Sequence, residues 1–202
     1  METDTHDTDD GTDTAATTDT DDRPVVLAVD DEPRVVEAFG LWLESDYRVR
    51  TATSGEEALD LADDGAVDVA LLDRQMPGMT GDELLEELRD RGLDCRVAMV
   101  TGVDPDVDIV EMPFEEYVQK PVDGDDLLDV VDRLLDLDQY DDSVDELYAV
   151  VQKRVTLEAE LPAATLEDDD EYQRLRERER ELEAETEAVT EDLDDDGFAQ
   201  LF

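Results

Sequence analysis

The chain has 202 residues, with 63 Asp and Glu against 16 Lys and Arg and a formal net charge of -47, enough length for one ordinary core and a smaller appended element. The acid excess runs along the whole chain, a composition suited to the cytosol of an extreme halophile, because at molar salt the Debye length falls to ~3 Å and self-repulsion is screened. No apolar run approaches the ~20 residues needed to span a bilayer and the acidic N-terminus is unlike a signal peptide, so a soluble, cytoplasmic protein without a membrane partner is expected.

The opening stretch, Met1 to Asp22, is Thr/Asp-rich and too polar to build a core. It reads as a disordered tail, and its His6, the only histidine of the chain, has no second histidine with which to hold a metal. From Arg23 short apolar runs alternate with amphipathic stretches, the rhythm of β-α units. Strands are expected at Pro24 to Val29, Tyr47 to Thr51, Val67 to Leu72, Arg96 to Val100 and Glu116 to Gln119. Helices are expected at Pro33 to Glu44, Ser54 to Ala62, Gly81 to Arg91, Asp106 to Glu111 as a short weak one, and Asp125 to Leu137. Ser54-Gly55-Glu56-Glu57 has the form of a capping box. Such alternation implies a doubly wound, five-stranded parallel α/β sheet. Cys95 is the only cysteine, which excludes an internal disulfide and a cysteine metal cluster.

Beyond Leu137 the character changes. Val144, Leu147, Tyr148, Val151 and Val155 recur at helical spacing, and a second stripe runs through Tyr172, Leu175, Leu182, Val189 and Leu193. Pro162 and the acidic run Glu167 to Glu171 read as a break between them. The second helix interleaves Arg174, Arg176, Arg178 and Arg180 with glutamates, leaving a narrow apolar seam suited to a two-helix, coiled-coil-like element. The expected organisation is a tail over 1–22, an α/β domain over 23–138 and a helical domain over 139–202.

Acidic and basic side chains stand where the apolar runs end. Asp30-Asp31 closes Val25 to Val29, Asp73 closes Val69 to Leu72, Thr101 follows Val100, and Lys120-Pro121 follows Glu116 to Gln119. In a parallel sheet, ligand sites form outside the carboxyl ends of the strands, so these five polar groups share one rim. Lysine is scarce, only Lys120 and Lys153 among otherwise arginine bases, yet one is spent at this rim. The chemistry that fits is a phosphoryl group held on a carboxylate. Asp73 would be the phosphoacceptor, with Mg²⁺ on the hard oxygens of Asp30, Asp31, Asp73 and the Gln75 backbone carbonyl. Lys120 would pair with one phosphoryl oxygen and the Thr101 hydroxyl would bond another.

Val29-Asp30-Asp31-Glu32-Pro33, Leu71-Leu72-Asp73-Arg74-Gln75-Met76-Pro77-Gly78-Met79-Thr80-Gly81, Val100-Thr101-Gly102 and Lys120-Pro121 together resemble the receiver domain of two-component response regulators, a flavodoxin-like fold. The resemblance covers about Arg23 to Asp138. It implies phosphotransfer from a sensor histidine kinase to Asp73, Mg²⁺ dependence, a cis peptide before Pro121, and a switch made by Thr101 and Tyr117. Gln75 and Val103 fall where the family tunes phosphate loss. The segment from Thr101 to Tyr117 is shorter than receivers usually have, so the fourth helix is expected to shrink to a turn or two. The tail from about Tyr140 to Phe202, with Asp194-Asp195-Asp196-Gly197-Phe198-Ala199, resembles the HalX domain found after receivers in haloarchaea.

The leading reading is a phosphorylation-controlled switch whose C-terminal helices pass the signal on by self-association, as in a homodimer, or by binding a regulatory protein. The alternative is a DNA-binding transcriptional regulator using the C-terminal domain. Residues 143–202 hold 20 acidic and 6 basic residues and no helix-turn-helix pattern, and the missing reading motif weighs against DNA more than the acidity does. A phosphatase with an aspartyl-phosphate intermediate, like the haloacid dehalogenases, would carry a second Asp where Gln75 stands. The protein is therefore not expected to turn over a metabolite, and a degenerate receiver is disfavoured because all five site residues are present.

Overall fold

The run Val25-Val26-Leu27-Ala28-Val29 forms a strand buried at every position, the pattern of a central parallel strand covered on both faces. The computed structural model describes residues 23–137 and 142–190, apart from the side chains of 142, 143, 185 and 187–190. In it this strand, β1 (Val25–Val29), is joined by β2 (Arg48–Ala52), β3 (Val69–Leu72), β4 (Arg96–Thr101) and β5 (Glu116–Gln119). All pairs are parallel, in the order β2-β1-β3-β4-β5. The helices are α1 (Pro33–Leu43), α2 (Gly55–Asp63), α3 (Gly81–Asp90), α4 (Gly124–Leu137), α5 (Asp142–Glu160), α6 (Ala163–Glu167) and α7 (Asp170–Thr190). The result is the flavodoxin-like doubly wound sheet. The elements expected up to Leu137 are all present, with ends displaced by at most two residues.

One helix start differs from its sequence reading. Ser54 accepts the Glu57 N–H at the start of α2, but the Glu57 carboxylate reaches past Ser54 to the N–H and hydroxyl of Thr53. The reciprocal box lies instead at α3, where Thr80 and Glu83 exchange side-chain and backbone bonds. The pattern Thr80-Gly81-Asp82-Glu83 carried that signal equally well.

Alternation along the strands sends successive side chains to opposite faces. Leu27, Val29, Ala70, Leu72, Val97 and Met99 point into a core roofed by α2 and α3. Val26, Ala28, Val69, Leu71, Ala98 and Val100 point into one roofed by α1 and α4. Between β4 and β5, where the other crossovers carry an α-helix, there is only a 3₁₀ turn at Val107–Glu111, whose single fully buried side chain is Ile109.

The C-terminal helices fill that gap. Leu147, Val150 and Leu157 of α5, Leu166 of α6, and Tyr172, Leu175 and Leu182 of α7 join the same core as Ile109, Phe114 and Tyr117. Val144 and Tyr148, also on α5, enter the opposite core with α4. Helix α5 therefore straddles the edge strand β5. Side-chain contacts of α5 with α7 run in opposite order along the two helices, Glu146 with Arg178 and Glu158 with Tyr172, so they lie antiparallel. Val155, assigned to the stripe, is 49% exposed, because it lies on the side of α5 away from both cores. The expected break contains the short helix α6, with Pro162 as its N-cap. The tail over 1–22, the side chain of Val189, Leu193 and the segment 194–199 lie outside the described residues.

One buried polar contact ties α5 to the sheet. The Tyr148 hydroxyl donates to Glu116 on β5 at 2.9 Å, and Arg133 of α4 donates to the other carboxylate oxygen at 2.5 Å. Tyr148→Phe strands half of that carboxylate's bonding, so a loss of about 1–2 kcal/mol is expected in chemical denaturation in molar KCl. An unchanged midpoint would mean that water replaces the hydroxyl.

Candidate functional site

Strand register brings the acidic groups together. Val29 pairs with Leu72, so the next residues of β1 and β3, Asp30 and Asp73, emerge side by side at the switch point of the sheet. The Asp73 N–H donates to the Val29 carbonyl at 2.9 Å, which fixes this exit. Asp31 follows, and one carboxylate oxygen from each of Asp30, Asp31 and Asp73 lies within 4.8 Å of the others. Thr101 ends β4, is fully buried, and its hydroxyl accepts the Val103 N–H at 3.3 Å. Lys120 follows β5, its N–H donating to the Thr101 carbonyl at 2.8 Å. Its ammonium pairs with Asp30 and stands 3.5 Å from Asp73 Oδ2. The Lys120–Pro121 bond is cis.

The arrangement holds three carboxylates against one ammonium. Asp30 is 1% and Asp73 8% exposed, and Asp73 Oδ1 is buried without a hydrogen-bond partner. Like charges at this distance are unfavourable when desolvated, and an orphaned buried carboxylate oxygen asks for a partner. An all-oxygen donor set with an unsatisfied oxygen fits a hard divalent cation such as Mg²⁺. Gln75, two residues past Asp73, is exposed in the same loop.

The loop after Asp73 is built by two glycines with different tasks. Gly78 adopts a positive φ of 83°, which a residue without a Cβ supplies at little cost. Gly81 opens α3 under the Asp73 carbonyl, and a Cβ there would lie 2.1 Å from that oxygen.

Tyr117 is 9% exposed, with its hydroxyl donating to the Val103 carbonyl at 2.8 Å and its ring 6.0 Å from that of Phe114. Burial pushes its phenol above the usual range, against the pull of the nearby Arg74 guanidinium.

Sequence reasoning gave no role to two cations. Arg74, immediately after Asp73, forks onto Asp82 of α3 at 2.9 and 2.7 Å and reaches Asp108 of the 3₁₀ turn at 2.7 Å. The Asp82 bonds, countered by burial, raise its pKa. Lys153 of α5 donates to the carbonyls of Val110 and Met112 at 3.2 and 2.5 Å and lies 4.9 Å above the centre of the Phe114 ring. Burial pushes its ammonium down to about 8, with Glu115 and Glu146 pulling the other way. The available signal was composition, since Lys153 is the second of only two lysines. A cleft of about 780 Å³ beside Lys153, between the sheet and the C-terminal helices, is lined by bases and acids already bonded to one another or to backbone, among them Arg89, Glu115, Glu146 and Arg178.

The response regulator receiver domain family matches residues 26–132, more than half of the chain, and the HalX domain family matches residues 136–202. A Haloferax volcanii protein bearing the name of a transcriptional regulator is 48% identical over 136 residues, covering 67% of this chain and 23% of that protein. The alkaline phosphatase synthesis transcriptional regulatory protein PhoP of Bacillus subtilis is 37% identical, over 48% of this chain and 42% of its own length. The chain thus spans less than half the length of these relatives. Among solved structures, a CheY-like response regulator receiver domain from Methanospirillum hungatei superposes with a TM-score of 0.55 at 29% identity, covering 58% of this chain and 97% of that one. Chemotaxis protein CheY4 of Vibrio cholerae gives 0.54 at 28% identity, over 56% of this chain and 99% of that one. No described helix is long and apolar enough to cross a membrane. With the rim geometry and both family matches in agreement, the chain belongs to the response regulator receiver family and carries a HalX domain after its receiver.

Proposed function

We propose that this protein accepts a phosphoryl group on Asp73 from a sensor histidine kinase in the cytoplasm and passes the signal on through its C-terminal helices. The observation that carries the reading is the unpartnered, buried Asp73 Oδ1 amid Asp30 and Asp31, with Lys120 3.5 Å from the other oxygen. Asp30, Asp31, Asp73 and the Gln75 carbonyl would hold Mg²⁺, which when bound supplies positive charge against the phosphoryl oxygens. An Asp73 carboxylate oxygen forms the new bond to phosphorus as the bond to the donor's nitrogen breaks, and the donor imidazole keeps the electron pair. The Lys120 ammonium, now shared by Asp30 and Asp73, turns to a phosphoryl oxygen, and the Thr101 hydroxyl donates to another. Tyr117 would answer the movement of Thr101. The chemistry is confined to the protein's own carboxylate, with slow self-hydrolysis and no metabolite turnover.

The partners that follow are the kinase and either a second copy or a regulatory protein bound by the C-terminal helices. The names of the relatives favour a second reading, a transcriptional regulator contacting DNA. Against it, two of the four α7 arginines are each paired with two acids: Arg178 with Glu146 and Glu181, and Arg176 with Glu158 and Glu179. Intact mass after incubation with acetyl phosphate and Mg²⁺ in molar KCl tests the proposal. A single adduct of about 80 Da, which does not form when the metal is chelated beforehand, is expected; a folded protein that takes none from acetyl phosphate or a kinase would refute it.

Lys120→Ala is expected to retain phosphoryl uptake while losing the conformational response. The check is hydrogen exchange on the phosphorylated variant, and a wild-type response would remove Lys120 from the coupling.

A further inference from the structure

The sheet face between β4 and β5 is covered by the chain's own C-terminal helices, and the contacts there run without a gap from the phosphoacceptor loop to α5. Arg74 is bonded to Asp73 through the backbone and is only 9% exposed, so its guanidinium is fixed where its acids hold it. Two of its bonds anchor it to Asp82 on α3; the third goes to Asp108, in the 3₁₀ turn. That turn is short and contributes a single fully buried residue, Ile109, to the core. At its far end the carbonyls of Val110 and Met112 are both taken by Lys153. Carbonyls at the end of a helical turn carry partial negative charge and lack intrahelical donors. An ammonium there completes them and gains from the Phe114 ring as well.

We infer that the 3₁₀ turn is a coupling element in cis, held at one end by Arg74 through Asp108 and at the other by Lys153, so that the C-terminal hairpin is the partner that reads the phosphoacceptor loop. A receiver with a full helix between β4 and β5 could cover this face by itself. Here the face is closed only when α5 and α7 are docked, because Leu147, Val150, Tyr172 and Leu175 complete the core around Ile109 and Phe114. Any displacement of the Asp73–Arg74 backbone is thus delivered through one salt bridge to the segment on which α5 is latched. The desolvated ammonium of Lys153 makes the latch conditional, because its buried charge is favourable only while both carbonyls stay in place.

The inference rests on Asp73 as phosphoacceptor, so the test reads phosphorylation and coupling separately. Intact mass and hydrogen exchange would be measured on the full chain in molar KCl, with and without acetyl phosphate and Mg²⁺, for wild type, Asp108→Asn and Lys153→Met. Asp108 is 56% exposed at its side chain, so its amide variant should fold. In the wild type, phosphorylation should change amide exchange in 107–113 and 142–160 by about tenfold, the scale of a typical coupling energy. Asp108→Asn should gain the same adduct and lose the change in 142–160. Lys153→Met should exchange faster in 142–160 before phosphorylation and respond no further. A wild-type response in Asp108→Asn, or a phosphorylated wild type with no change in 142–160, would overturn the coupling. Absence of the adduct in wild type would overturn the acceptor assignment and this inference with it, and the mass distinguishes that outcome from the others.

Discussion

Asp73→Asn should abolish the phosphoryl adduct completely and make the protein more stable, not less. Loss of uptake follows because the amide offers no carboxylate oxygen to phosphorus. The gain follows from the resting site. Asp73 sits with Asp30 and Asp31 around one ammonium, and its own Oδ1 has no partner. Replacing one of three crowded negative charges by a neutral group relieves repulsion that burial shields from salt, and the amide nitrogen can donate to a neighbouring carboxylate. About 1 kcal/mol is the expected scale, as for other sites that hold strain for chemistry. Intact mass and thermal unfolding in molar KCl check both halves. A persisting adduct would move the acceptor elsewhere, and a lower melting temperature would mean that Asp73 is bonded more favourably than the apo geometry implies.

The second large effect is structural. Gly81→Ala places a Cβ 2.1 Å from the Asp73 carbonyl oxygen, 2.8 Å from its carbon and 2.9 Å from the Arg74 Cα. These are backbone atoms, so no side chain can swing aside, and either α3 or the phosphoacceptor loop must move. Overpacking of this kind costs about 3 kcal/mol. If the loop gives way, Asp73 and Arg74 are both displaced, and phosphoryl uptake should fall even in the fraction that folds. Denaturation and uptake at equal folded concentration check this. Wild-type values in both would show that α3 can slide without consequence for the site.

Much of this molecule is written in its strand ends. Each apolar run from Val25 to Gln119 marks its own strand, and the residues just beyond, Asp30, Asp73, Thr101 and Lys120, meet at the rim because parallel register aligns strand ends. Local spacing was less informative where tertiary contacts decide. The apolar residues of α5 were read as one stripe, yet Tyr148 and Val144 face one core and Leu147 and Val150 the other, and periodicity alone cannot show that a helix straddles a sheet edge. Glu57 bonding to Thr53 in place of Ser54 is a choice between neighbouring donors that no pattern resolves. Arg74 and Lys153 were invisible for a related reason, because their partners, Asp108 and the Val110 and Met112 carbonyls, lie far along the chain.

The acidic surface also shapes how such a site works. At molar salt, exposed charges beyond ~3 Å are screened, so long-range attraction contributes little to steering or coupling. What remains are contacts that are buried or directly bonded, which describes Asp30–Lys120, Arg74–Asp108 and Lys153 on the 3₁₀ turn.

The most direct test of the central claim is to locate the phosphoryl group chemically. Treating the phosphorylated protein with borohydride reduces an acyl phosphate to the alcohol, leaving homoserine in place of aspartate, and peptide mass then gives its position. The account predicts homoserine at position 73 alone, dependent on Mg²⁺. Homoserine at another acid, or none in a protein that carries the adduct, would contradict it.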